Sequence, residues 1–239
     1  MNSPQAAAAI VIPVYNHARH VAEVISAARP LGLPLYVVDD GSCDETGALL
    51  DGIAAITLLR HRQNLGKGAA LLTGFSAAAR DGHRWALSID GDGQHRPDDA
   101  AALLAAVADG RRCLVVGCRQ GMEGNANVPW TSTFGRAFSN FWVRAAGGPR
   151  LADSQSGFRL YPLPETLALP VRARRYQYEV EVLVMARRQG LEVREAAIGV
   201  VYQPPGERVS HFRPWQDFWR NSLTFNRLIW ERLLRRGRR

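Results

Sequence analysis

Asp39-Asp40-Gly41-Ser42 and Asp90-Gly91-Asp92-Gly93-Gln94-His95 are the two places where this 239-residue sequence gathers carboxylates on short, glycine-bearing turns. An Asp-x-Asp on such a turn directs carboxylates at a hard divalent cation, and that cation can bridge the two phosphates of a nucleotide. The first cluster suits hydrogen bonding to a base or ribose instead. Acid-rich turns are common as plain turns. What gives these two weight is that each follows an apolar, strand-like run, and open parallel sheets bind ligands outside the carboxyl ends of their strands. A third feature, Gly66-Lys67-Gly68, places the only lysine of the chain at a helix start, where backbone amides and a cation can meet phosphate. It lacks the first glycine and the following Ser/Thr of a P-loop, and a helix-cap role accounts for it equally well.

The elements that must position these residues alternate in type. Residues 8–14 (AAIVIPV) are continuously apolar and β-branched, which predicts a buried strand. Residues 17–29 have helical spacing through Val21, Val24, Ile25 and Ala28, and Pro30 stops them. Further strands are predicted at 35–38, 56–59, 85–89 and 113–116, separated by helices from Asp44, over 66–80 and over 98–109. Strand–helix alternation of this kind predicts an α/β fold with a mostly parallel sheet covered on both faces. Beyond residue 118 the rhythm changes. Residues 120–129 are rich in Gly and Asn and read as a mobile loop; helices are expected over 130–146, 178–189 and from Pro214 to about Arg235, with a late strand over 193–202 and a chain break at Pro204-Pro205-Gly206. The expected organisation is one domain over 1–213, divided near residue 118 into a nucleotide half and an acceptor half, followed by a C-terminal helix over 214–239.

Composition narrows the class. With 46% hydrophobic and 22% charged residues the chain can bury a core, which excludes collagenous, low-complexity and wholly disordered readings. Cys43, Cys113 and Cys118 are too few and too irregularly spaced for a disulfide framework or a four-ligand zinc site, so a reducing compartment is expected. The N-terminal residues lack the pattern of a signal peptide and no apolar run is long enough to span a bilayer, so the expected location is cytoplasmic, with any membrane contact peripheral. The net charge of +8 is concentrated at the end: from His211 onward eight arginines stand against Asp217 and Glu231.

Pro13-Val14-Tyr15-Asn16, Val38-Asp39-Asp40-Gly41-Ser42, Asn64-Leu65-Gly66-Lys67-Gly68 and Asp90-Gly91-Asp92-Gly93-Gln94-His95 resemble, in order and spacing, the family 2 glycosyltransferases of GT-A fold. Asp153-Ser154-Gln155-Ser156-Gly157-Phe158-Arg159, Tyr178-Glu179-Val180-Glu181 and Val209-Ser210-His211-Phe212 are similar to the dolichyl- or polyprenyl-phosphate sugar transferase branch and related bacterial enzymes. The chain departs from that branch in carrying Gly135-Arg136, not paired arginines, before Ser139, and Arg208 where a glycine commonly precedes Val-Ser-His. The resemblance implies inverting transfer from a nucleotide-diphosphate sugar to a lipid-linked or membrane-associated acceptor, in the making of a bacterial surface glycan or glycolipid. It implies that Pro13, Tyr15, Asp39 and Asp40 surround the nucleoside, that Lys67 faces nucleotide or phosphate, and that Asp90 and Gly91 face nucleotide or sugar. Asp92 with Gln94 would then hold Mg2+ or Mn2+ on the diphosphate. His95 either joins the metal shell or is a turn histidine facing solvent. On the acceptor side it implicates Arg119, Arg136, Ser156 and above all Arg159, since arginine forks suit an acceptor phosphate or the leaving diphosphate. A hydroxyl acceptor would need a general base, for which Asp153, Glu179 and Glu181 are candidates; a phosphate is already ionised and needs little such help. Glu179 and Glu181 stand i, i+2 and cannot share a helix face, and the analogy favours Glu181.

The last helix interleaves Trp215, Phe218, Trp219, Leu223, Phe225, Leu228, Ile229, Trp230 and Leu233 with arginines. A basic, tryptophan-bearing amphipathic helix suits an anionic membrane surface, and a helix packed on the body or on a second copy is the other reading; nucleic acid is not an expected partner. Two rival functions fit parts of the pattern. A nucleotidyltransferase would also use such a sheet, but the glycine- and lysine-rich signature near the first strand is missing. A catalytically silent sugar-nucleotide binder would not need Asp90, Asp92 and Arg159 intact.

Overall fold

The computed structural model describes the backbone of residues 7–120, 130–199 and 214–236, and the side chains of these except 130–134, 214–220 and 235–236. Most of the predicted 120–129 loop, the 204–206 break and the Val209–Phe212 motif therefore lie outside the described residues, as do the side chains of Trp215, Phe218 and Trp219.

Seven strands form one sheet: β1 (Ala8–Val14), β2 (Leu35–Asp39), β3 (Thr57–Arg60), β4 (Trp85–Ser88), β5 (Cys113–Arg119), β6 (Arg159–Pro162) and β7 (Glu192–Ile198). Their spatial order is β3-β2-β1-β4-β6-β5-β7. All pairings are parallel except those of β6, which runs antiparallel to both β4 and β5. β1 is buried along its whole length because it is central and covered on both faces. The period-two alternation sorts its residues: Ala9 and Val11 enter one core with Tyr36 and Val38 of β2, while Ala8, Ile10, Ile12 and Val14 enter the other with Leu35 and Val37.

Helices α1 (Val21–Ala28), α2 (Thr46–Asp51) and α4 (Ala100–Ala105) and helices α3 (Lys67–Arg80), α5 (Trp130–Ala145), α6 (Leu163–Leu167), α7 (Tyr178–Arg188) and α8 (Pro214–Arg236) complete the fold. Val21, Val24, Ile25, Ala28 and Leu103 cover one face of the sheet; Leu71, Phe75, Val143, Tyr178, Leu183, Phe225 and Leu228 cover the other. The helix expected over 98–109 is shorter, because Pro97–Asp99 form a 3-10 turn before α4 begins at Ala100. Two elements had no counterpart in the sequence reading, β6 and α6. β6 has only four residues and opens on an arginine, so no periodicity marks it.

α8 packs on the body through Phe225 and Leu228, and Phe225 stacks on Trp142 of α5 with ring centroids 6.2 Å apart. Arg232 donates to the Ala145 carbonyl at the end of α5 (2.6 Å), where a cation complements the helix dipole. Arg188 of α7 pairs with Glu231 at 3.0 Å.

α3 approaches β1 closely enough that Gly74 has no room for a side chain: an added Cβ would collide with Val11 Cγ1 and lie 3.2 Å from Val38 Cγ2. Overpacking of this kind costs about 1–3 kcal/mol, against a gain in helix propensity of about 1 kcal/mol for Gly to Ala. Gly74→Ala is accordingly expected to lower stability by up to about 2 kcal/mol, to be read as a lower midpoint at unchanged slope in urea unfolding.

Candidate active site at the carboxyl ends of the strands

β1, β2 and β4 end on the same edge of the sheet, and the start of the antiparallel β6 is brought to that edge beside them. Val14 pairs with Asp39, and Ser88 with Arg159. Ser88 Oγ donates to the Gly157 carbonyl at 2.5 Å, fastening the segment before β6 to the end of β4. Both acidic turns and the Asp153–Arg159 segment thus open from one edge.

The first turn is tied to the end of β1. Asn16 adopts φ 53°, a region that tolerates asparagine. Its Oδ1 accepts from the Cys43 N–H at 2.9 Å, and its own N–H donates to Ser42 Oγ at 3.0 Å. Asp39 Oδ1 accepts from the Ser42 N–H (2.9 Å), and its Oδ2 lies 3.6 Å from Arg60 Nε. Asp40 is turned inward. Its Oδ1 accepts from His61 Nδ1 (2.7 Å) and the Leu65 N–H (2.9 Å), and its Oδ2 from the Gly66 N–H (2.7 Å).

The centre of the edge is a half-buried cation between two carboxylates. Lys67 Nζ lies 2.7 Å from Asp90 Oδ1 and 2.7 Å from Glu179 Oε1. Gly66, at φ 104°, starts α3 in a conformation open to glycine, and Arg174 O would stand 2.7 Å from any Cβ there. Gly157 is needed for the same reason of space, since a Cβ would fall 2.8 Å from Lys67 Nζ and closer still to the Asp90 carboxylate. Burial opposes the charged form of Lys67, but the two carboxylates outweigh it and hold its pKa above the ordinary lysine value. Burial likewise works against ionised Asp90, but Lys67 together with the neighbouring histidines outweighs it and holds that carboxyl below the usual range. His95 goes the other way: burial lowers its pKa despite Asp90 and Asp92, keeping the ring neutral. Its Nε2 is 3.9 Å from Asp90 Oδ2, its ring lies against Phe158 with centroids 5.3 Å apart, and its Nδ1 has no hydrogen-bond partner among the described residues. Ser156 Oγ, one residue before Gly157, is also buried without a partner.

The glycosyl transferase family 2 model matches residues 9–167 of this chain, a span that holds both acidic turns and the lysine between them. The chain belongs to that family. It is 29% identical over 213 residues to the UDP-N-acetylglucosamine–dolichyl-phosphate N-acetylglucosaminyltransferase of Methanococcus voltae, covering 81% of this chain and 85% of that protein. It is 30% identical over 200 residues to the polyprenol monophosphomannose synthase of Mycolicibacterium smegmatis, covering 79% and 75%. The crystal structure of mannosyl-3-phosphoglycerate synthase from Rubrobacter xylanophilus superposes with a TM-score of 0.69 at 19% identity, over 97% of this chain and 75% of that one, which is agreement in GT-A fold.

Within this family 2 glycosyltransferase, the residues singled out in the sequence fall into distinct groups. Lys67, Asp90 and Glu179 form the central cluster, with His95 against it. Asp92 and Gln94 stand on the adjoining turn, half-buried, with Asp92 Oδ1 accepting from the Gln94 N–H at 3.0 Å. Pro13 is buried at the end of β1, Tyr15 half-buried beyond it, and Gly91 lies 3.4 Å or more from its neighbours even with a Cβ added. Arg136 is half-buried on α5.

Four of these residues are tied into the interior of the protein. Arg159 is fully buried, and its guanidinium donates to the carbonyls of Ser156 (2.7 Å), Glu179 (2.7 Å) and Ser154 (2.9 Å), so it clamps the loop before β6 to α7. Asp153 is fully buried and gripped by both arms of the Arg119 fork, at 2.6 and 2.9 Å. Glu181 is fully buried, accepting from the Arg172 and Ala173 N–H groups (3.2 and 2.9 Å) and paired with Arg227 of α8 at 2.7 Å. His95 does not face solvent, its side chain being 6% exposed. Asp40, with its oxygens taken by His61 and by the Leu65 and Gly66 N–H groups, holds the loop from beneath. The i, i+2 argument for the glutamates holds, since Glu179 and Glu181 meet different partners.

Gly157 and His61 were not singled out by the sequence reading. Gly157 lies inside a quoted motif, but only the proximity of Asp90 and Lys67 shows why nothing larger fits. Gly157→Ala is expected to displace the Lys67–Asp90 pair and cost about 1–3 kcal/mol. Differential scanning calorimetry would read this as a midpoint lowered by roughly 2–4 °C per kcal/mol.

Proposed function

We propose that this chain transfers a sugar, with inversion, from a nucleotide-diphosphate donor to a lipid-linked phosphate. Family membership and the names of the relatives support a sugar transferase acting on dolichyl- or polyprenyl-type acceptors. The observation that carries the phosphate acceptor is local. Each of the three carboxylates that could serve as a general base is held by a cation: Asp153 by Arg119 at 2.6 Å, Glu179 by Lys67 at 2.7 Å and Glu181 by Arg227 at 2.7 Å. A hydroxyl nucleophile needs a base within reach whose proton affinity is matched to the task. A phosphate oxygen is already anionic, and these pairs leave it as the nucleophile.

On this reading Asp39 and Tyr15 meet the nucleoside at the ends of β2 and β1, while Asp90, fixed by Lys67, faces the donor. The unpartnered His95 Nδ1 and Ser156 Oγ supply a ring nitrogen and a hydroxyl for a polar ligand at this edge. Asp92, with Gln94, would hold Mg2+ or Mn2+. The donor set fits such an ion: among the described residues no group of three or more His, Cys, Asp or Glu gathers to cage a metal, and Mg2+ is usually held by one or two carboxylates with substrate phosphates and water completing its shell. When bound, the cation neutralises charge developing on the leaving diphosphate.

α8 supports membrane contact by its outer face. Leu223, Trp230, Leu233 and Leu234, together with Phe141 of α5, are each at least 51% exposed and are the most exposed large apolar side chains among the described residues. No helix among the described residues is long and apolar enough to cross a membrane. A peripheral helix of this kind would bring the site to a lipid acceptor.

Two measurements test this. With a panel of UDP-, GDP- and TDP-sugars, the protein is expected to glycosylate polyprenyl phosphate and not free polyprenol, to stop on adding EDTA, and to lose about 100-fold or more in kcat on Asp92→Asn, as when a key electrostatic group is removed. Transfer to the free alcohol at equal rate would overturn the acceptor assignment, and EDTA-resistant turnover the metal. In vesicle co-sedimentation, Trp230→Glu with Leu234→Glu is expected to reduce binding to anionic vesicles at least several-fold, since charged groups are costly in the headgroup–acyl boundary. Unchanged co-sedimentation would reject that face.

A further inference from the structure

The loop Asn64–Lys67, which delivers Lys67 to the site, is held from two sides. From the sheet, Asp40 accepts its Leu65 and Gly66 N–H groups. From the other side comes the segment 172–175. Arg174 O accepts the Ala69 N–H at 2.7 Å, and the Arg175 guanidinium donates to Asn64 Oδ1 at 2.9 Å. Gly66 packs so closely on Arg174 and Arg175 that no Cβ fits between them.

The segment 172–175 belongs to no helix or strand, so its position depends on what holds it. Its Arg172 and Ala173 N–H groups donate to Glu181. Glu181 is fully buried, and a buried carboxylate needs a cation and hydrogen-bond donors beside it. The pairing group is Arg227 Nη2, 2.7 Å away, and Arg227 is carried by α8. A continuous run of contacts therefore leads from the C-terminal helix, through Glu181 and residues 172–175, to the loop bearing Lys67. Neither Glu181 nor Arg227 is part of the Lys67–Asp90–Glu179 cluster.

We propose that Arg227 is a positioning residue: acting through Glu181 and residues 172–175, it fixes the Asn64–Lys67 loop, so that the seating of α8 on the body sets the affinity for the donor. The donor part rests on the function proposed above; the loop part does not. The same helix offers its outer apolar face to a surface and its inner arginine to the donor loop, so contact on the one side can bias order on the other. Coupling of this kind requires only that the loop be held differently when α8 is seated and when it is not.

Hydrogen–deuterium exchange on the full chain tests the loop directly and needs no nucleotide. Arg227→Met is expected to speed exchange of the 65–69 amides by about tenfold or more while the amides of β1 keep their wild-type protection, and Arg227→Lys to restore most of the loop protection. Because Arg227→Met alone strands a buried carboxylate, Glu181→Gln combined with Arg227→Met is measured alongside; it removes both charges and is expected to loosen the same amides. Wild-type exchange over 65–69 in the double variant, or equal acceleration in β1, would overturn the proposal, the latter by showing general destabilisation. In steady-state assays the donor KM of the double variant is expected to rise roughly tenfold with a smaller change in kcat. A wild-type protein that uses no nucleotide sugar would defeat the proposed function and leave the exchange result to decide the loop.

Discussion

One ammonium group joins two acidic regions of this molecule that lie far apart in sequence. Lys67 sits between Asp90, just past β4, and Glu179, in the first turn of α7, 112 residues along the chain from it. Without that cation, two buried carboxylates would face each other, which is among the least tolerable arrangements in a folded interior. The surrounding architecture follows from making room for it. Gly66 lets α3 begin where it must, Gly68 packs directly on Tyr178 of α7, and Gly157 leaves a gap for the pair to meet. Arg159 then locks the segment carrying Gly157 to the Glu179 carbonyl. The cluster is thus bounded by β4, α3, α7 and the start of β6, and none of these can shift independently.

The parallel part of the fold was legible because its strands announce themselves. β1 is seven apolar residues in a row, and burial on both faces demands that pattern. β6 was not legible for the opposite reason: it is four residues long, opens on a buried arginine, ends on a proline, and is defined by neighbours on both sides and not by its own periodicity. The same distinction governs the site. Sequence identified the acidic turns, since turn chemistry is local. It could not show which acids are neutralised, since the neutralising cations are remote: Arg119 lies 34 residues from Asp153 and Lys67 112 from Glu179. Arg159 illustrates the cost of reasoning from residue type alone. A guanidinium fork suits phosphate, but three backbone carbonyls in a dry interior satisfy it as well.

The chemistry of the edge is therefore set by pairing more than by the count of charges. Carboxylates that look available in the sequence are matched with arginine or lysine, Lys67 serving both Asp90 and Glu179, and His95 beside them is held neutral. His95 Nδ1 and Ser156 Oγ, an uncharged ring nitrogen and a hydroxyl, have no hydrogen-bond partner among the described residues. Such a surface suits a polar, phosphate-bearing ligand that brings its own charge. The C-terminal helix completes this arrangement, because its Arg227 supplies the last of the pairing cations.

The insertion of β6 between β4 and β5 has a consequence for how the chain is made. β4 and β5 follow one another in sequence but are not ladder partners; among the described residues β5 is bonded to β6 and β7 alone. While the ribosome has released only the first 119 residues, β4 presents an unpaired edge and β5 has no place in the sheet. Exposed strand edges are templates for pairing with other chains. The nascent protein must therefore wait, with that edge open, until residues 159–162 emerge and close it, which makes this interval the one in which the chain is most open to aggregation or chaperone capture.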